Sequence, residues 1–366
     1  MKINAVTPLP IAYPSALGQM TFFVVAIETD GGYVGFGEAC DCFGVSYPRV
    51  LAAIVSDAFA PRLVGRELDS VDGLIDGIAA ATRRQLGEGW ASAQARSAVE
   101  MALWDLLGHA SGRSVSTMLG RVRDRIPVYA GSSPFLDEFP LDYHLDRLAP
   151  LLERGVRSIK MRIGPDPREA VSRMRELRSA LGDGYELTVD ASEWLDLPTA
   201  RYLTDALAEL DVAWLEEPFV QKRRTAISAL ARVSRIPIAY GEHLHSLEDA
   251  LDVLQAGEVS VIQPDPAICG FGDAYRIARV APHYGARVAI HYHVGPVGFA
   301  ACLQLAGAAA AADILEFPFH LMPVLAAFSP DFEGGLEMIV DGAIEIPDRV
   351  GLGVRYQAEL ARANPA

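Results

Sequence analysis

The chain has 366 residues, 51% of them hydrophobic, and a formal net charge of −15 at neutral pH. Its length exceeds one small domain and suits a barrel of about 250 residues with a second domain added; its apolar content supports a large core and excludes a disordered chain. The acidic balance, with no basic run, excludes nucleic acid and acidic membrane surfaces as partners.

The opening MKINAVTPLPIAYP carries one lysine and no apolar stretch of signal-peptide type, so no export signal is expected. Residues 21–39, TFFVVAIETDGGYVGFGEA, predict two strands about the turn Asp30-Gly31-Gly32. Residues 47–82 and 92–111 follow a helical period, and in the second Ala98, Met101, Ala102, Trp104, Leu106 and Leu107 gather toward one broad face. An α+β domain over 1–124 is the expectation. Cysteines stand at 40, 42, 269 and 302. Cys40 and Cys42 are too close for an ordinary disulfide and the four lack zinc-site spacing, so free thiols in a cytoplasmic protein are expected.

From Ile126 the pattern becomes regular. Short β-type runs occur at 126–130, 156–163, 185–190, 212–216, 236–242, 259–265, 286–291 and 313–317, separated by helical stretches such as PREAVSRMRELRSALG. Eight strands alternating with helices predict a modified (β/α)8 barrel of the TIM type over 125–330. A doubly wound open sheet is disfavoured, because no glycine-rich phosphate turn follows the first strand. The most apolar stretch, VGFAACLQLAGAAAAA at 297–312, contains Gln304 and stops at Asp313, which predicts a buried helix rather than a membrane span. From Gly335 the chain turns hairpin-like, and the segment 331–366 is expected to return to the first domain.

The strand ends share a property. Lys160 with Arg162, then Asp190, Glu216, Glu242, Asp265, His291 and Glu316 close successive strands, 23 to 28 residues apart. In a (β/α)8 barrel the carboxyl ends of the strands surround one mouth, so this register gathers all of them. Three carboxylates in a row, Asp190, Glu216 and Glu242, repel one another and need a cation. All-oxygen ligands favour Mg2+, with Mn2+ as the other option. Helix N-capping by the same three acids would leave the basic strand and the Asp265–His291 pair without a purpose. In VAWLEEPF (212–219) Glu216 is therefore the ligand, and Glu217, facing the other way on an extended strand, is expected to orient a neighbour or close a salt bridge.

The motifs SAVEMALWDLLG, IKMRIG, TVDAS, WLEEP, YGEH, IQPD, VAIH and ILEF together resemble the mandelate racemase subgroup of the enolase superfamily, from about residue 1 to 360. The resemblance implies a capping domain, built from the N-terminal part and the C-terminal tail, that closes over the barrel mouth. It also implies Mg2+ on Asp190, Glu216 and Glu242, a base dyad of Asp265 and His291, a hydrogen bond from Glu316 to a substrate carboxylate, and Lys160 beside that carboxylate. The implied first step removes the proton α to the carboxylate to give an enediolate. Imidazole titrates near neutrality, which suits His291 as the base, with Asp265 fixing its tautomer.

Two departures from the subgroup matter. Its lysine-x-lysine is here Lys160-Met161-Arg162, and a guanidinium is a poor second base. A racemase needs proton traffic on both faces of the α-carbon, whereas an elimination can use His291 alone. Dehydration of a sugar acid is therefore expected, with a racemase, epimerase or lactone cycloisomerase as the alternative. The second departure is Ser192, where the subgroup more often has asparagine. Ser192, His243 and His293 are candidate substrate contacts, as are Tyr13, Phe43 and Tyr47 on the capping loops; His245, Tyr292 and His320 are expected near the mouth. The expected partner is a small carboxylate substrate, and a homo-oligomer is anticipated.

Overall fold

The computed structural model describes residues 1–16, 18–39, 47–131, 134–292 and 295–366. Strands β1 (Ile3–Ser15), β2 (Gly18–Thr29) and β3 (Val34–Ala39) form an antiparallel sheet in that order. The first strand carries Pro8, Pro10 and Pro14, which lack a donor. All three share the parity of Ala12, whose N–H points away from β2 to the carbonyl of Asn364, so the missing donors fall on the outer edge.

The helical expectation over 47–82 is corrected. Helix α1 (Pro48–Ile54) runs through a π-type turn (Val55–Phe59) into Ala60–Leu63 and stops. Gly65 then adopts φ +84°, and Ser70 caps a new helix, α2 (Val71–Leu86), by accepting from Gly73 N–H. Helix α3 (Trp90–Ser111) is buried on nearly every side and forms the spine of this domain. It lies so close to β3 that a Cβ on Gly37 would sit 1.8 Å from the carbonyl oxygen of Ala98.

Eight parallel strands close the second body: β4 (Arg125–Gly131), β5 (Ser158–Arg162), β6 (Glu186–Asp190), β7 (Val212–Glu216), β8 (Ile238–Tyr240), β9 (Val261–Ile262), β10 (Arg287–Ile290) and β11 (Ala312–Phe317). They pair in sequence order and β11 returns to β4, which makes a closed barrel. The helices that follow them are α4 (Leu141–Glu153), α5 (Pro167–Leu181), α6 (Leu197–Ala208), α7 (Arg224–Ala231), α8 (Leu247–Gln255), α9 (Phe271–Val280), α10 (Pro296–Ala308) and α11 (Met322–Phe328). Tyr129, Trp214, Ala239, Val261, Ala289 and Ile314 form a buried cluster of their own. Trp214, Ala289 and Ile314 stand two residues before Glu216, His291 and Glu316, hence on the same strand face one layer deeper, as an apolar floor.

Every residue of α10 is buried, as the apolar run predicted, and no helix among the described residues is long and apolar enough to cross a membrane. The tail divides its contacts. Strands β12 (Ile339–Val340) and β13 (Ala343–Glu345) form the hairpin, but β13 pairs antiparallel with β4 of the barrel and not with the first domain. Only beyond it does the chain reach that domain: Asp348 accepts from Ser114 and Thr117, Leu352 N–H reaches Asp105, and α12 (Ala358–Ala363) packs by β1.

Candidate active site

The register of the parallel strands sets the mouth. Arg162 pairs with Asp190 across β5 and β6, and Asp190 with Glu216 across β6 and β7. Glu242, Asp265 and His291 follow β8, β9 and β10 within three residues, and Glu316 lies in β11. Every one of these groups except Arg162 and Glu242 is buried, and those two are only partly exposed.

The pairings are specific. Lys160 Nζ lies 2.8 Å from Glu216 Oε1 and 3.0 Å from Glu316 Oε1, tying the two walls together. Arg162 Nε is 3.1 Å from Asp190 Oδ2. His291 Nδ1 sits 2.8 Å from Asp265 Oδ2, while the other Asp265 oxygen accepts from Ala267 N–H at 2.7 Å. The imidazole is thus fixed on one side, and its Nε2 faces inward, 3.4 Å from Glu242 and 3.7 Å from Glu316.

Electrostatics follow from the crowding. Burial pushes the Glu216 carboxyl up to about 8; Lys160 pulls it back, and Asp190, Glu242 and Glu316 push it further. Burial would lower the His291 imidazole, but Glu242, Asp265 and Glu316 outweigh it and raise it to about 10. Glu242 is driven the other way: burial opposes ionisation, yet His291, His243 and Lys160 hold its carboxyl well below the usual range. The same carboxylates keep Lys160 and Arg162 charged despite burial.

Asp190, Glu216 and Glu242 offer hard oxygen donors from three adjacent strands in a setting overfull of negative charge. That donor set fits a divalent cation of the magnesium kind. In this arrangement their oxygens face Arg162, Lys160 and His291, cations that partly neutralise them.

A second cluster lies beside it. Glu217 does bury an ion pair, with His243 Nδ1 at 2.8 Å, but its backbone is left-handed at φ +41° rather than extended. Ser192 and Glu193 are left-handed too, at +45° and +64°. Such conformations cost a non-glycine residue roughly 1–2 kcal/mol each. Glu193 N–H is bonded to the Glu217 carbonyl at 2.7 Å, so the two loops hold each other in this shape. Ligand atoms of Glu193, Glu217 and His243 lie within 4.8 Å of one another.

The other sequence candidates divide. Ser192 donates its hydroxyl and its N–H to Asp190 Oδ1, at 3.1 and 2.7 Å, and so orients that carboxylate. His243 stands between Glu217 and Glu242, with Trp90 of the first domain edge-on to its ring. His245 packs on Trp90 and lines a cavity of about 730 Å³ between α2, α3 and the barrel. Tyr292 is buried against Phe299, and His320 stacks edge-on with Phe319. Tyr13 packs on Phe328 and Tyr47 is 72% exposed; neither is hydrogen-bonded to the strand-end groups among the described residues. His293 and Phe43 lie outside the described residues, as do Cys40 and Cys42, while Cys269 and Cys302 are free and buried. The sequence reading passed over Tyr129, which donates to Glu316 Oε2 at 3.0 Å, and over Gln263 and Trp214, which donate to Glu216 Oε2 at 2.7 and 3.3 Å. Their one signal was parity: Trp214 and Gln263 stand two residues before Glu216 and Asp265.

Comparison with known proteins agrees with this architecture. Residues 2–120 match the family model for the mandelate racemase/muconate lactonizing enzyme N-terminal domain, and residues 145–360 match the enolase C-terminal domain-like model. The D-galactarolactone cycloisomerase of Agrobacterium fabrum is 31% identical over 92% of this chain and 89% of its own. The L-talarate/galactarate dehydratase of Salmonella typhimurium is 28% identical over 94% of this chain and 83% of its own. Among solved structures, L-talarate dehydratase from Polaromonas sp. JS666, complexed with Mg and L-glucarate, superposes with a TM-score of 0.83 at 27% identity, covering 100% of this chain and 97% of that one. With both of its domains accounted for, this chain belongs to the mandelate racemase/muconate lactonizing enzyme family.

Proposed function

We propose that the chain is a magnesium-dependent acid-sugar dehydratase: it removes the proton α to a carboxylate and eliminates water. The observation that carries the reading is His291, an imidazole fixed by Asp265 at Nδ1 whose Nε2 points between Glu242 and Glu316. Asp190, Glu216 and Glu242 would hold Mg2+, which when bound supplies the positive charge that makes a carbon acid of this kind ionisable. His291 takes the α-proton and then returns it to the departing hydroxyl. Asp265 keeps Nδ1 protonated, so that Nε2 is the nitrogen that exchanges the proton. Lys160, held between Glu216 and Glu316, contributes fixed charge at the substrate carboxylate, and Glu316, which accepts from Tyr129 at its second oxygen, would donate a hydrogen bond there in its protonated form. Arg162 stays protonated against Asp190 and serves as a charge, not as a second base. The Glu217–His243 pair at the rim suits the hydroxyls of a polyhydroxylated acid. Buried free thiols at Cys269 and Cys302 suit the cytoplasm.

The second reading is a lactone cycloisomerase or epimerase by the same enolate chemistry, favoured by the 31% identity to a cycloisomerase. A panel of hexonic, pentonic and aldaric acids and lactones, incubated with Mg2+ in heavy water, separates the two. A keto product formed with loss of water supports dehydration; a keto acid isomeric with its lactone, or deuterium at the α-carbon of recovered substrate with no water lost, supports the alternative.

A further inference from the structure

Both partners of the Asp265–His291 pair are anchored by carboxylates that come from the other domain. Helix α10, which follows His291, has no capping side chain of its own. Its cap is Glu38 of β3, only 1% exposed, whose Oε2 accepts from Val297 N–H and Gly298 N–H at 2.9 Å each, with Gly295 N–H also on the carboxylate. The fit is close: a Cβ on Gly295 would lie 2.1 Å from Glu38 Oε1. From that helix start, Gly295 carbonyl receives the Tyr292 hydroxyl at 3.0 Å, and one and a half turns on, Cys302 Sγ donates to the His291 carbonyl at 3.5 Å. Asp265 itself caps the short helical turn Pro266–Cys269, and helix α9, which comes next, lacks a side-chain cap of its own. Here Glu100 of α3 accepts from Gly272 N–H at 2.7 Å, and Ser97 of the same helix donates to the Ile268 carbonyl at 3.0 Å. Ile268 and Cys269 are in turn bonded through their N–H groups to the Asp265 carbonyl at 3.0 Å.

We propose that Glu38 and Glu100 are positioning residues for the Asp265–His291 pair: the first domain caps the two barrel helices behind the pair and so sets where the imidazole stands. Loss of either cap leaves buried N–H groups without a partner and frees the segment that carries the dyad. The metal-ligand candidates stand at the ends of β6 and β7 and just after β8, make no hydrogen bond to Glu38 or Glu100 among the described residues, and are expected to keep their geometry. The inference rests on His291 being the base.

The test compares Glu38→Ala and Glu100→Ala with Asp105→Asn. Asp105 is as buried and sits on the same helix as Glu100, but it binds the N–H groups of Phe36 and Leu352 instead of a barrel helix. Hydrogen–deuterium exchange of the protein alone is expected to rise at residues 295–299 in Glu38→Ala and at 270–274 in Glu100→Ala. With substrate and Mg2+, the rate of α-proton removal, read as 2-keto product formed, is expected to fall about 10- to 100-fold in both, with magnesium affinity unchanged within about twofold, and Glu38→Gln, which keeps an acceptor, is expected to fall between Glu38→Ala and wild type. Asp105→Asn is expected to lower the melting temperature while its rate of 2-keto product formation stays within about twofold of wild type. Native amide protection in the alanine variants, an unchanged rate of 2-keto product formation, or an equal loss in Asp105→Asn overturns the proposal. If Glu38→Ala does not fold, Glu38→Gln carries the comparison. A wild-type chain that neither forms a keto acid nor exchanges the α-hydrogen of any acid tested defeats the reaction assigned above, and amide exchange then decides the capping role by itself.

Discussion

His291 is held by Asp265 at one nitrogen and turns the other toward Glu242 and Glu316, the orientation a base at this mouth needs. Replacing it with asparagine removes the imidazole whose Nε2 stands between Glu242 and Glu316. His291→Asn is expected to lower turnover by about 10²–10⁴-fold while magnesium binding measured by calorimetry persists. Retained turnover would remove His291 from the reaction. Arg162→Lys is expected to leave dehydration measurable, because a lysine there still provides charge beside Asp190; loss of all activity would give Arg162 a part that charge alone does not explain. At this scale the mouth was largely legible: a charged residue that ends an apolar run stands out. Ser192 and Glu217 were less so, since nothing in their side chains announces a left-handed backbone, and their roles toward Asp190 and His243 follow from that bend. Tyr129 and Gln263 are neutral and lie inside strand-like or loop-like runs, so their hydrogen bonds to Glu316 and Glu216 depend on which strands the closed barrel brings together, as β11 beside β4, which their own runs do not announce.

Among the elements, the barrel strands were readable because each is a short apolar run with a polar end, repeated at a near-constant interval. The interruption at 64–70 was not, because a turn made by Gly65 and a Ser70 cap hardly disturbs the apolar period on either side. The tail hairpin has the same origin of error: its alternation fixes a strand pair but not which edge it joins, and β4 offered one. Strand β1 was hidden by its prolines, which only their shared outward parity makes compatible with a sheet. The contact between β3 and α3 is the tightest test of this packing. Gly37→Ala places a methyl into the Ala98 carbonyl and is expected to destabilise the protein by about 1–3 kcal/mol, measured by urea unfolding. An unchanged midpoint would mean that the helix can retreat from the strand at little cost.

At the scale of the molecule, buried charge makes stability depend on pH. Glu38 and Glu216 are pushed up to about 8, and Glu100 and Glu217 to about 7, from an ordinary value of 4.5, each chiefly by burial. His291 and His243 rise from 6.5 to about 10, their carboxylate partners overriding burial. All six bind more protons folded than unfolded, so each stabilises below its unfolded value and loses that contribution as pH rises through its folded one. The metal-free protein is therefore expected to lose stability steadily between about pH 5 and about pH 10, followed by its melting temperature. A flat or rising profile would contradict the raised values. Magnesium is expected to lessen the loss at neutral pH, because it would neutralise carboxylates that otherwise hold protons.

The most direct measurement is formation of the 2-keto product in heavy water, read as deuterium uptake at the carbon beside the new carbonyl, followed with Mg2+, after chelation, and after the ion is restored. Uptake that stops with the chelator and resumes with magnesium is the predicted result. Uptake that continues at the same rate without the ion would mean that Asp190, Glu216 and Glu242 do not gather a metal for this chemistry.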